Sequence, residues 1–486
     1  MAAIGVGIGI GFGASAQGFD WYVDSVNGSD SNDGKTIAAP LKSIATLLAK
    51  TITSGQRIGL ARGSSWREQL TVPADGITVA AYGTGAKPLL DCSDIIAAGS
   101  WSKTAGYTYV YQVSVVIEQY PDQFMSLWED DVRYTIAADL AACDSTAGTY
   151  YCADMSTSPA TVYVHPADNS NPGTNGKKYE YPRRSQGVQC LFARCTISGL
   201  HTRRNLSNNG SLEVRKNCYV SDCLVSEGTK HNMLVNGGTV VSGVEVADAY
   251  YNGLSKVALV WNQDYGNDED VTLINCYLHN TFDPAGDVGL YGHVNLGGHF
   301  GTVTIRGCRV ENRYPLGGLD PATNVVVEGS TFVGQSNFAG EATLSDSTFT
   351  GLFRVISASH STAKVTIRRC HVVSTGSNPL AYDCAIYADS DGIVFDVQDS
   401  TIIGAPGTTA DDTINMFSAA GTVTLTSRNN VFKNYAHFYL IDGSTYTVDS
   451  DYNDFQAPII GWFRLTWAWT TIAQWQALGH DVHSTY

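Results

Sequence analysis

The sequence predicts an all-β solenoid, a coil of stacked parallel strands, and three observations carry that expectation. The first is a short pattern: apolar, any, apolar, any, any, Cys or Ser, any, apolar. It recurs six times, as VTLINCYL (271–278), VTIRGCRV (303–310), VVVEGSTF (325–332), ATLSDSTF (342–349), VTIRRCHV (365–372) and FDVQDSTI (395–402). The second is spacing. The small residues Cys276, Cys308, Ser330, Ser347, Cys370 and Ser400 follow one another at intervals of 32, 22, 17, 23 and 30 residues. An uneven repeat of this length means stacked units with loops inserted on some of them. The third is composition: 49 Gly and 26 Tyr against 5 Met suit strands and turns better than helices.

Within each copy the alternation is strand-like, the small residue marks a bend, and the next apolar residue turns inward again. Each coil then buries its apolar face on its neighbours. Cys276, Cys308 and Cys370 read as small buried packing residues with no chemical role.

In chain order, residues 1–19 form a Gly-rich segment in which Gly5, Gly7, Gly9, Gly11 and Gly13 alternate. Such alternation suits an extended strand laid on a partner, so an attachment segment is expected. The alternative is a signal peptide cleaved after Ala14-Ser15-Ala16, but no Lys or Arg precedes the apolar core. Residues 20–90 hold a first strand at Trp21, then an amphipathic helix after Pro40 with Leu41, Ile44, Leu47 and Leu48 on one face, then the first coil strands. A helix there would cap the open end of the coil. Residues 91–187 break the pattern with short antiparallel strands and read as an inserted β lobe, with GTYYCADMSTSPATVYVHP as a hairpin. Residues 188–455 are the coil, and 456–486 a C-terminal cap. Trp462, Trp467, Trp469 and Trp475 cluster there, as cap, oligomer contact or sugar platform.

The net charge of −16 and a pI near 5.0 argue against nucleic acid as a partner. No apolar run is long enough to span a bilayer. Eleven Cys is an odd number, and no CxxC or His/Cys zinc spacing is present, so no metal centre is expected. Cys143 with Cys152, or Cys190 with Cys195, could pair.

The stretches WYVDSVNGSDSNDGKT, PLKSIATLLA, IGLARGSSWREQL and ITVAAYGTGAKPLLD, with TIAQWQALGHDVHS at the other end, resemble right-handed parallel β-helix proteins of the pectate-lyase-like superfamily. With the repeats, the resemblance covers most of residues 20–486. It implies a right-handed parallel β-helix. It leaves activity open, because that superfamily includes lyases, hydrolases, phage tailspikes and inactive adhesins. The start MAAIGVGIGIGFG also resembles the glycine-alternating starts of phage structural proteins. The expectation that follows is a bacteriophage tailspike or tail-fibre protein, a homotrimer in the virion. It would attach to other tail proteins through residues 1–19 and bind, with depolymerisation as an open addition, a host cell-surface polysaccharide. The alternatives are a secreted polysaccharide lyase or hydrolase, and a non-catalytic adhesin or virion structural protein.

Chemistry on such a scaffold is expected where loops interrupt the pattern. The gap between Cys276 and Cys308 offers Asp283, Asp287, His293 and His299, with Tyr291 as a stacking ring. The loop before it offers Trp261, Asp264, Asp268, Glu269 and Asp270. The loop after it offers Glu311, Arg313 and Asp320. His231, Glu245, Asp248, Tyr250 and Lys256 lie upstream. Glycoside hydrolysis needs two carboxyl groups facing across one bond, and Asp283 or Asp287 with Asp320 or Asp248 would supply them. Trp261, Tyr250 and Tyr291 would hold sugar faces, and Arg313 a polar group. The run 264–270 could take calcium, although its spacing is not that of an EF-hand. No other cofactor is expected.

Overall fold

The computed structural model describes residues 18–117, 126–154, 157–206, 210–229, 231–248, 269–279, 294–295, 301–311, 316–317, 324–338, 340–351, 353–356, 362–374, 386–389, 392–404, 412–433, 437–456, 462–465 and 468–486. It is a right-handed parallel β-helix with an N-terminal capping helix and an inserted antiparallel lobe. Three faces make each full coil. The first runs from Trp21–Val23 through Arg57–Ala61, Thr78–Tyr82 and the repeat strands Val271–Ile274, Thr302–Arg306, Asn324–Glu328, Glu341–Ser345, Thr362–Arg368 and Gly392–Gln398. The second is a 13-stranded sheet from Ser65–Trp66 to Asp454–Gln456. The third begins as Leu70–Thr71, Val188–Cys190, Leu212–Val214 and Met233–Val235. Further along, Asp412–Arg428 and His437–Asp451 each span the third and first faces and join them into one sheet.

The repeat explains the coil residue by residue. Register places Val271 beside Val303, Val303 beside Val325 and Val325 beside Ala342, so the same positions stack at every turn. All of them are buried. The residue before each Cys or Ser has positive φ: Asn275, Gly307, Gly329, Asp346, Arg369 and Asp399. This left-handed residue turns the chain sharply from first face to second, and Gly, Asn and Asp tolerate it best.

The Cys and Ser that follow do more than fill space. At most of these turns a backbone N–H is aimed along the buried corner, and the side chain one coil further on accepts it. Cys276 donates to Cys308 Sγ (3.4 Å), Cys308 to Ser330 Oγ (3.0 Å), Ser330 to Ser347 Oγ (3.1 Å) and Cys370 to Ser400 Oγ (3.1 Å). The row continues with Asn430 (2.9 Å), Asn453 (3.0 Å) and Ser484 (2.8 Å) as acceptors. Buried N–H groups left without partners are costly, so the corner selects small residues with an acceptor atom.

The capping helix, Ile44–Leu48, starts at Ser43, whose side chain accepts from Thr46 N, and it buries Ile44 and Leu47 on the core. Leu41 lies outside it, bridged to Val23 as strand. The lobe has its own core around Tyr150, Val162, Val164 and Tyr179. The hairpin Thr149–Cys152 with Ala160–His165 pairs antiparallel as expected, and Tyr111–Val115 adds to it. None of the described cysteines is in a disulfide. The Cys143 and Cys152 thiols instead donate to the carbonyl oxygens of Thr149 and Asp154.

Candidate functional site

The large insertions share one edge. From Thr196–Ser198 onward two residues make each first-to-second corner among the described strands, and the lobe is inserted at the turn between second and third faces. The lobe departs after Asp91 and returns at Val188. Segments 248–270 and 280–293 depart from the same end of the second-face strands Glu245–Ala247 and Tyr277–His279. The bases of these two segments, Ala247 and His279, are neighbours in register on successive coils, and a solenoid assembles a site from such neighbouring turns.

Most of the expected site residues fall within the stretches 248–270 and 280–293. Asp283, Asp287, Asp320, His293, Trp261, Tyr291, Arg313 and Tyr250 fall outside the described residues, as do Asp264 and Asp268 of the acidic run. Asp248 is described. It follows Glu245–Ala247 directly, half-buried, with φ of 53°.

Beside the loop bases, the outward positions of the second face form a polar row that the repeat pattern counted only as "any". Glu245, Tyr277 and Arg309 are in register, and His279 lies one coil before Glu311. Glu245 Oε1 is 3.0 Å from His279 Nε2. The Tyr277 and His279 rings stack at 4.0 Å, 18° apart. Tyr277 donates to Glu311 (3.0 Å), and Arg309 pairs with Glu311 while lying 5.7 Å from the Tyr277 ring. The hydrogen bond to Glu311 raises the Tyr277 pKa, so the phenol stays a donor. Glu245 and Arg309 are exposed. Two carboxylates, an imidazole, a guanidinium and a ring on one open face can hydrogen-bond sugar hydroxyls and stack a sugar ring. Glu245 and Glu311 are two coils apart, about 10 Å along the axis. That is wide for the carboxyl pair of a glycosidase.

The same row runs under the lobe, where it is buried. Asp91, Glu180 and Arg204 are almost fully enclosed. Arg204 donates to Glu180 (2.7 Å) and Asp131 (2.8 Å), pairs with Glu227, and lies 4.7 Å from the Trp128 ring. Arg203 donates to Asp91 (2.9 Å), and Arg67 pairs with Asp91 and Glu180. Burial would raise the Asp91 pKa, but Arg203, Ser93 and Arg67 outweigh it and hold it low. These contacts fix the lobe against the second face beside the open row.

His201 lies in this junction, 2.9 Å from Ser226 Oγ. Burial, with Arg203 adding to it, lowers its pKa from 6.5 to about 4. Between these values the unfolded chain binds more protons than the folded one. Stability from this group is therefore complete above pH 6.5 and lost as pH falls toward 4, about 3 kcal/mol across the window. Chemical unfolding followed against pH should show this slope, and His201→Gln should flatten it. An unchanged slope in the variant would assign the acid sensitivity elsewhere.

Fold and site together define a parallel β-helix that carries an inserted lobe and an open polar row on one lateral edge. No family model matches the sequence, and no curated protein matches it. Among solved structures, the chain is similar to XylC in complex with xylose, with a TM-score of 0.55 and 10% identity over 90% of this chain and 84% of that one. It also aligns with a glycoside hydrolase (TM-score 0.40, 10% identity, 91% and 96% covered) and with the tailspike protein gp49 from Pseudomonas phage LKA1 (TM-score 0.34, 12% identity, 84% and 70% covered). At these identities the likeness to XylC shows the shared fold.

Proposed function

We propose that the protein binds a polysaccharide along the edge that carries the lobe and from which the segments 248–270 and 280–293 depart. The observation that carries this reading is the open row of Glu245, Tyr277, His279, Arg309 and Glu311 where those segments begin. A polymer lying across successive coils would meet a repeated set of donors, acceptors and ring faces. The fold shared with a xylose-bound protein supports sugar as the ligand class. The Gly-alternating start supports a phage tailspike or tail fibre that trimerises, attaches through residues 1–19 and meets a cell-surface glycan. Hydrolysis would draw on Asp283 or Asp287 with Asp320 or Asp248, and Trp261, Tyr250, Tyr291 and Arg313 would hold the sugar.

Titration of the full chain against a panel of surface polysaccharides tests binding. Tyr277→Ala removes the ring and the Glu311 donor together and should weaken the binding glycan about 5- to 30-fold, a loss of about 1–2 kcal/mol. Undiminished binding would move the site off this face. Shortening of the glycan chain would establish a depolymerase, and new ultraviolet absorbance from an unsaturated uronate would make it a lyase. A strict monomer in solution would count against the tailspike reading.

A further inference from the structure

The strongest cluster outside that edge is a group of three thiols on the opposite side of the coil, at the corner between third and first faces. Cys190 ends the strand Val188–Cys190, and the chain 191–194 carries it round to Cys195. Cys218 stands one coil further on from Cys195, because Thr196 pairs with Tyr219. All three are buried, and their sulfurs lie within 4.8 Å of one another. No CxxC spacing announces the group, since coil stacking brings the third member from the next turn.

We propose that Cys190, Cys195 and Cys218 form a binding site for a thiophilic divalent cation of the zinc class, with the Phe192 carbonyl oxygen as fourth ligand. The donor set fits. Zinc takes four ligands in a tetrahedron with Zn–S near 2.3 Å, which sets sulfurs about 3.8 Å apart. The group needs a contraction of about 1 Å at its widest to reach that spacing. The Phe192 oxygen already faces two of the thiols, at 3.5 Å from Cys190 Sγ and 3.3 Å from Cys218 Sγ. It closes the fourth corner from a surface loop on which Leu191 and Phe192 are exposed, so the ion has a short way in. A divalent ion bound by three thiolates leaves one net negative charge, and Arg194, Arg215 and Lys216 flank the cysteines in sequence. The three protons leave to solvent on binding, so affinity rises with pH.

The test uses the full chain, reduced and stripped with a chelator, then titrated with cadmium(II). Thiolate-to-cadmium charge transfer should appear in the ultraviolet and saturate at one ion per chain. Zinc(II) should displace it and raise the unfolding midpoint. Cys195→Ser and Cys218→Ser should each lower the affinity on the order of 100-fold. Cys218→Ser is conservative, because the next residue in that column is the hydroxyl-bearing Thr239. Cys223→Ser changes a buried cysteine outside the group and should leave the titration intact. Absence of stoichiometric uptake by the reduced wild-type chain would overturn the proposal. So would a charge-transfer band that survives both variants, or isolation of the protein with a Cys190–Cys195 disulfide that forms again in preference to metal uptake.

Discussion

Arg204→Ala should be among the most damaging single substitutions in the chain, costing about 3–5 kcal/mol. The side chain is fully enclosed, and so is the Glu180 carboxylate it binds at 2.7 Å. Its three nitrogens reach three different acids: Glu180 in the lobe, Asp131 in the lobe, and Glu227 in the turn after Leu224–Ser226. Truncation leaves the buried Glu180 with Arg67 and Lys178 beside it but without its one fully enclosed partner, and most of the cost is that weakened pairing of a buried charge. It also opens a void against the Trp128 ring. Glu180→Gln in the Arg204→Ala background should recover part of the loss, and a double-mutant cycle in denaturant measures the coupling. A cost below about 1 kcal/mol would mean that the network behaves like an exposed ion pair. The junction matters for function as well as stability. It holds the lobe at one end of the open row, so a loosened lobe should weaken glycan binding even though no residue of the row has changed.

The coil was legible in the sequence because its rule is local and repeated. Apolar alternation, a turn-tolerant residue and a small acceptor fall within eight positions, and six copies expose the period. The chemistry of the small residue was not legible, since Cys and Ser serve equally as compact filler and as hydrogen-bond acceptor. Only the coil-to-coil register shows that Cys308, Ser330, Ser347 and Ser400 accept the preceding turn's N–H. The open row was legible only in part, for a related reason: Glu245 and Glu311 stood among the candidates, but Tyr277, Arg309 and His279 sit in or beside the repeat at places the pattern leaves free. Writing the copies under one another would have set Tyr277 over Arg309 and His279 over Glu311, a polar line on the outer face. The junction and the thiol group could not be found this way. Asp91 meets Arg203, Arg67 meets Glu180 and Cys190 meets Cys218 only because an insertion and a coil turn fold back on themselves.

Trp475→Ala should cost about 3–5 kcal/mol and turn the C-terminal end of the coil into an aggregation site. The helix Ile472–Ala477 begins with a capping box, Thr471 and Gln474 each accepting from the other's backbone N–H. That start aims Trp475 into the end of the core, where it is fully buried. Its ring lies 6.1 Å from Tyr439, and its Nε1–H donates to Asp481 at 2.9 Å. Asp481 is buried too and also accepts from Ser450 (2.6 Å), Asn453 (2.8 Å) and Ser484 (2.7 Å). Ser484 and Asn453 are the last members of the corner row, so one tryptophan ties the closing helix to the hydrogen bonds that run down the coil. Removing it empties the end of the interior and takes a donor from a buried carboxylate. It also frees Thr485, which now pairs with the edge strand Asp454–Gln456. Trp475→Phe keeps most of the volume and loses the donor, and should fall between wild type and alanine. Unfolding curves read the stability, and light scattering at rising protein concentration reads the exposed edge. If Trp475→Ala unfolds and scatters like wild type, the coil is closed by something other than this helix.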